Sequence, residues 1–283
     1  MKVLITGTSR GIGRACALRY LEKGHEVVGL DILESTISGS ALYTHYRADI
    51  TGTLPDIENV EILVNNAGVQ EEGREIDVNL KGTIAVTEKY GITPAIRSIV
   101  FMASASARNG AEFPLYAASK GGVVAYMKNV ALRVAAYGAT CNSISAGGVL
   151  TELNDHIIKD ARLMQACLDE TLLHRWADPG EIASWCYFLT NCNKSMTGQD
   201  LLIDNGEQLR SNFIWYTHAV ISLSGQPSTE NPSFEDGDDN KEKIREKNED
   251  KGWYQNAGVF FAAGYSFADA SAHPGKIKQN AQI

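Results

Sequence analysis

MKVLITGTSRGIGRACALRYLEKGHEVVGLD (residues 1–31) contains two short apolar runs, a glycine-rich turn and an amphipathic stretch, and it ends on an acid. The runs at 3–6 and 26–31 are rich in Val, Leu and Ile, the pattern of strands buried on both faces. Between them the spacing predicts a helix over 12–23 with Ala15, Leu18, Tyr20 and Leu21 on one side. It stops at Lys23-Gly24, a C-terminal helix signal.

Thr6-Gly7-Thr8-Ser9-Arg10-Gly11-Ile12-Gly13 fills the strand-to-helix turn. Glycines at 7, 11 and 13 permit a tight bend, clear side chains from the path of a pyrophosphate, and leave the helix N-terminus facing its charge. Asp31 ends the second strand 18 residues beyond Gly13, where a carboxylate can accept hydrogen bonds from an adenosine ribose. It would also repel a 2′-phosphate, which favours NAD(H) over NADP. Arg10 points the other way, but a carboxylate aimed at the same oxygen outweighs it.

Working outward, further strands are expected at 46–49, 61–65, 98–103, 140–145 and 201–203, and helices at 76–90, 114–137, 155–171 and 179–189. Strands alternating with helices give an α/β fold: a doubly wound parallel sheet in a three-layer α/β/α sandwich, Rossmann-like. One domain is expected over 1–209, including a lid at about 151–175, followed by a C-terminal extension at 210–283. From about 222 to 252 the composition turns to Gly, Pro and dense mixed charge without apolar periodicity, which reads as a linker or disorder.

Composition excludes several classes. A net charge of −8 and a pI near 5.3 oppose a nucleic-acid partner, which calls for a basic surface. Cys16, Cys141, Cys167, Cys186 and Cys192 are scattered, without CxxC pairs or histidines at ligand spacing, so no metal site is expected and the thiols read as reduced packing residues. The sequence has no run of 18 apolar residues and enters a strand directly from Met1, so no membrane segment and a cytoplasmic location are expected.

Tyr116-Ala-Ala-Ser-Lys120 lies on the helix expected over 114–137, and a spacing of four puts the phenol and the ammonium on one face. A tyrosine pKa near 10 comes down to about 7 only with roughly 4 kcal/mol of preferential stabilisation of the phenolate, which a neighbouring ammonium and an oxidised nicotinamide can supply. The pair alone is common in helices. Its company is not: Asn65-Asn66-Ala67-Gly68 follows the fourth strand, Asn79 stands in Asp-Val-Asn-Leu, and Ser104 ends the fifth strand 12 residues before Tyr116. Together with Asp204-Asn-Gly-Glu207, these motifs resemble the short-chain dehydrogenase/reductase family in content and order across roughly residues 1–209.

That resemblance implies roles. Gly7, Gly11 and Gly13 would cradle the pyrophosphate with Ser9, Arg10 and Ile12 completing the turn, and Asp31 would hold the ribose. Asp49, with Ile50 beside it, would meet the adenine amino group, and Asn66, Ala67 and Gly68 would line the adenosine half. Ser104 would hydrogen-bond the substrate oxygen, with Ser106 as its competitor. Tyr116 would exchange the proton, Lys120 would bind the nicotinamide ribose, and Asn79 would hold a water linking Lys120 to solvent. The Val149 backbone and the Thr151 hydroxyl would contact the carboxamide. Departures are also visible: 15 residues separate Asp49 from Asn65 and 10 separate Gly68 from Asn79, both short for the family, so the third helix is expected to be cut to a turn at about 53–58. Ala146 stands where the family usually has proline.

Ile157, Met164, Cys167 and Leu168 give the lid an apolar side suited either to a hydrophobic substrate or to plain core packing, and His156 reads as exposed or capping. The function expected is hydride transfer between NAD(H) and a secondary alcohol or ketone in a homodimer or homotetramer. The alternative is a non-catalytic dinucleotide-binding sensor or scaffold, which would have no need of Asn79, Ser104, Tyr116 and Lys120 together.

Overall fold

The computed structural model describes residues 1–70, 73–111 and 113–209; expectations for 210–283, including the charged stretch at 222–252, lie outside the described residues. Seven strands form one parallel sheet: β1 (Lys2–Thr6), β2 (Glu26–Asp31), β3 (Tyr43–Arg47), β4 (Ile62–Asn65), β5 (Ser98–Met102), β6 (Thr140–Ala146) and β7 (Asp200–Ile203). Their order is β3-β2-β1-β4-β5-β6-β7, so the chain reverses direction across the sheet between β1 and β4. In a doubly wound sheet, ligands bind outside the carboxyl ends of the strands at such a switch point.

The helices are α1 (Gly11–Glu22); α2, a continuous stretch made of Ile76–Gly82, Thr83–Val86 and Thr87–Gly91; α3 (Ser106–Asn109); α4 (Pro114–Val134); α5 (Asp155–Ile158); α6 (Ala161–Asp169); and α7 (Pro179–Tyr187). The first and last segments of α2 are π-helical, the wider winding that often accompanies function. On one sheet face α1 and α7 bury Cys16, Tyr20, Ile182 and Cys186 against Val3, Ile5, Val64 and Val100. On the other, α2 and α4 bury Val78, Val86, Val123 and Met127 against Leu4, Leu63, Ile99 and Phe101. Along α4 the buried Ala117, Lys120, Val123, Met127, Val130 and Val134 recur at helical spacing, so the lysine lies in the same inward stripe as the core residues.

Several expectations need correction. The buried face of α1 is Gly13, Cys16, Ala17 and Tyr20, while Leu18 is exposed, because the glycine turn rolls the helix so that Gly13 meets the Gly7 carbonyl. β3 begins at Tyr43 rather than 46: no helix occupies 32–42, so the chain reaches the sheet edge early and pairs from Val27↔Tyr43 to Asp31↔Arg47. The shortening read at 53–58 goes further, since no helix forms between β3 and β4 and Leu54 and Ile57 pack on the core from an extended chain. The single lid helix expected over 155–171 is two, α5 and α6. Asp160 interrupts it by accepting hydrogen bonds from the Arg162 (2.9 Å) and Leu163 (3.1 Å) backbone N–H groups, an N-cap that starts α6 anew.

Candidate active site

At the carboxyl end of β1 the chain turns left-handed at Gly7 (φ 76°), whose N–H donates to Leu30 O at 2.7 Å. Gly13 then passes so close that a Cβ there would lie 1.9 Å from Gly7 O. Asn66 ties this turn to the loop after β4: its Nδ2 donates to Thr6 O (3.0 Å) and Gly7 O (3.2 Å). The Asn66 and Ala67 N–H groups both donate to Thr6 Oγ1 at 3.0 Å. Asp31 is equally fixed, its carboxylate accepting from Ser9 N and Leu33 N, each at 2.9 Å. The Ser9 hydroxyl is buried without a hydrogen-bond partner.

These elements frame a cavity of about 250 Å³ whose walls include Gly7, Arg10, Gly11, Ile12, Asp31, Asp49, Ile50, Asn66, Ala67, Gly68, Thr151, Tyr116 and Lys120. The sequence-predicted residues at the two ends of a dinucleotide therefore share one space. A wider groove of about 650 Å³ outside α1 shares Gly11, Thr151 and Glu152 with it but contains neither Tyr116 nor Lys120. Of the other expected site residues, Ser9, Gly13, Asn79, Ser104 and Val149 are buried and are not part of its lining.

Tyr116 stands in the first turn of α4 and is half-buried; the fully buried Lys120 Nζ lies 5.7 Å from its ring centroid. Lys120 Nζ donates to Met102 O at the end of β5 (2.9 Å), and burial lowers its pKa from the ordinary 10.5 to about 8. Asn79, in the first π segment of α2, accepts from Val69 N (2.8 Å) and donates to Val69 O (2.9 Å) and Ser119 Oγ (3.1 Å). Ser119 in turn donates to Tyr116 O at 2.7 Å. Asn79 thus ties the loop after β4 to the turn of α4 that carries Tyr116. Gly68 lets the three converge, because a Cβ there would sit 3.1 Å from Asn79 Oδ1 and 3.3 Å from Lys120 Nζ.

Ser104 is held between two sheet bonds, Ala103 N to Ile144 O and Ala105 N to Ala146 O, both 2.8 Å. Its hydroxyl accepts from Ser106 N at 3.2 Å, so Ser106, the competitor, supports Ser104 through its backbone. The loop from Gly147 to Thr151 is pinned by Leu150 N to Ala177 O and Ala177 N to Gly148 O, each 3.0 Å. Thr151 Cγ2 lies 3.4 Å from where Gly11 would carry a Cβ, so the lid begins at the glycine turn. His156 is exposed, and Ile157, Met164, Cys167 and Leu168 are half-buried.

Sequence reasoning missed residues that hold this geometry from far along the chain. The Trp176 indole packs against Gly148, where a Cβ would be 2.2 Å from Nε1. Arg108 Nε donates to Asp200 Oδ2 (2.8 Å), and Gln208 Nε2 donates to Ala105 O (2.7 Å), fixing the segment between Ser104 and Tyr116 to β7 and the residues after it. Among the described residues there is no cluster of metal-ligating side chains and no helix long and apolar enough to cross a membrane.

The family described as enoyl-(acyl carrier protein) reductase matches residues 51–208. The 3-oxoacyl-[acyl-carrier-protein] reductase of Vibrio cholerae is 30% identical over 240 residues, covering 72% of this chain and 95% of that protein. A short chain dehydrogenase family protein from Francisella tularensis superposes with a TM-score of 0.65 at 26% identity over 74% of this chain and 99% of that one. A 4-hydroxyisoleucine dehydrogenase complexed with NADH superposes with a TM-score of 0.66 at 25% identity, again over 74% and 99%.

Proposed function

The chain belongs to the short-chain dehydrogenase/reductase family and is an oxidoreductase that uses a nicotinamide cofactor; from that premise we propose that it moves hydride between NAD(H) and a secondary alcohol or its ketone, with Tyr116 as the acid or base. The observation that carries this reading is the opening of Tyr116 and Lys120 into the same cavity as the glycine turn and Asp31.

The residues present fit a dinucleotide. The left-handed Gly7 and the bare Gly13 form a cradle that a side chain would fill, at the N-terminus of α1, where backbone N–H groups favour a pyrophosphate. Asp31 is oriented by two N–H donors and has acceptor capacity left for ribose hydroxyls. When bound, the nicotinamide ring supplies or accepts the hydride. In the reducing direction Tyr116 donates its phenolic proton to the carbonyl oxygen, and Ser104 Oγ donates a hydrogen bond to the same oxygen. The Lys120 ammonium would hold the resulting phenolate and the nicotinamide ribose, and Asn79 would hold a water linking Lys120 to solvent. The Val149 carbonyl already accepts from Thr151 N and Asn154 Nδ2, so a carboxamide contact there falls to the Val149 N–H, with Thr151 Oγ1 as the second contact. Assembly into two or four copies is part of the same reading, supported by the exposed Leu132 on α4 and the exposed edge-to-face pair Trp185 and Phe188.

Binding of NADH and NADPH followed by fluorescence, then turnover at 340 nm on a panel of ketones and secondary alcohols, tests this. NADH binding with turnover is expected; tight binding without turnover on any member would shift the reading to the sensor. The preference for NADH rests on Asp31 repelling a 2′-phosphate. Asp31→Ala should narrow the ratio of NADPH to NADH dissociation constants by about tenfold, the size expected when a like-charge contact against the wrong ligand is removed. Unsubstituted protein that already prefers NADPH would overturn the assignment.

A further inference from the structure

At the adenosine end, two of the connections that build the cavity, β2-β3 and β3-β4, have no crossover helix. The β2-β3 connection leaves Ile32 and Leu33 exposed (54% and 41%) where they line the cavity. The same cavity is lined by Arg74, two residues before α2, in the short connection that follows Gly68. Its Nη2 lies 3.3 Å from Asp49 Oδ2. Asp49 is itself oriented, its Oδ1 accepting from Thr51 N (2.9 Å) and Thr51 Oγ1 (2.8 Å), so the carboxylate is a fixed post that holds the guanidinium by one nitrogen. Arg10, Arg74 and Lys120 are the cations among the described residues of this cavity. Arg10 belongs to the glycine turn, where it bears on the ribose that Asp31 would hold, and Lys120 to the catalytic end; Arg74 is the cation paired with Asp49, the residue expected at the adenine.

We propose that Arg74 is an adenine-binding residue: its guanidinium plane, steadied by Asp49, offers one face to the purine while Ile32 and Leu33 supply the apolar contact. A guanidinium stacks on an aromatic face and is weakly hydrated, and a planar fork held at one nitrogen still has its flat faces to offer. A partner with a π-face suits that arrangement, and the neighbouring aliphatic side chains suit it equally. The ion pair Arg74–Asp49 is half-exposed on both sides, so its value to folding is small, which leaves the guanidinium available to a ligand in the cavity it lines. The inference rests on the dinucleotide reading above and adds to it a residue whose role lies in a segment short for the family.

The test is calorimetric binding of three probes, NADH, AMP and reduced nicotinamide mononucleotide, to the full chain and to Arg74→Ala and Arg74→Lys. Arg74→Ala should weaken NADH and AMP about tenfold and leave the mononucleotide, which has no adenosine, unchanged. Arg74→Lys keeps the charge but loses the plane and should recover only a minor part of the loss. AMP binding equal to the unsubstituted protein in Arg74→Ala, or full recovery in Arg74→Lys, would overturn the inference. An equal loss for all three probes would also overturn it, because that marks a general disturbance of the cavity. If the unsubstituted chain binds NADH and Arg74→Ala binds it as well, this inference alone falls; if the unsubstituted chain binds neither NADH nor AMP, the dinucleotide reading falls with it.

Discussion

Tyr116→Phe is expected to lower kcat by about 10³-fold, within the range that a positioned general acid or base supplies, while changing the NADH dissociation constant less than twofold. The substitution removes one oxygen. Tyr116 is half-buried at the first turn of α4, and its ring keeps its place beneath Lys120 Nζ, so neither the cavity shape nor the glycine cradle changes. The Ser119 bond to the Tyr116 carbonyl and the Asn79 bond to Ser119 also survive, because both act on the backbone or on other side chains. A loss confined to kcat thus isolates the proton-transferring oxygen. A variant with near-normal turnover would remove Tyr116 from the reaction, and a parallel collapse of NADH binding would assign it to the cofactor site alone.

Much of this site was legible in the sequence because its signals are local. The glycine turn needs only a strand before it, a helix after it and an acid at the end of the next strand. Tyr116 and Lys120 need only helical spacing, which places both on the inward stripe of α4. The bonds that pin these groups are not local. Arg108 and Asp200 are 92 residues apart and Gln208 and Ala105 are 103 apart, and nothing in either neighbourhood marks them as partners. Trp176 follows Arg175 in an ordinary loop, and only the closeness of Gly148 shows that its ring supports the loop that begins the lid.

The missing crossover helices show the other limit. β3 reads YTHYR, with one face only partly covered at the sheet edge, so it carries no apolar alternation and its start was set three residues late. The chain then covers the core by isolated anchors, Ile37 on one face and Leu54 and Ile57 on the other, which no periodic pattern could reveal. Leu18 was misplaced for a related reason. Amphipathic spacing fixes which residues share a side of a helix, but the contact of Gly13 with the Gly7 carbonyl decides which side faces the sheet.

Lys120→Met should separate catalysis from stability, lowering kcat at least 10²-fold and raising the melting temperature at pH 7. Lys120 is fully buried, and its folded pKa of about 8 lies below the ordinary 10.5. Below pH 8 the ammonium is charged in both states, so its burial penalty is present in full, on the order of 3 kcal/mol. Between about pH 8 and 10.5 the folded chain releases the proton while the unfolded chain keeps it, so the unfolded state binds more protons and stability rises with pH. Methionine fills much of the same stem volume without the charge; it gives up the bond to the Met102 carbonyl, which costs about 1 kcal/mol. The net gain of roughly 2 kcal/mol corresponds to a rise of several degrees for a domain of this size. The gap between the variant and the unsubstituted protein should shrink as the pH is raised from 8 toward 10. A lower melting temperature at pH 7, or a gap that ignores pH, would mean that Lys120 is held by compensating charge and that its ammonium costs the fold nothing.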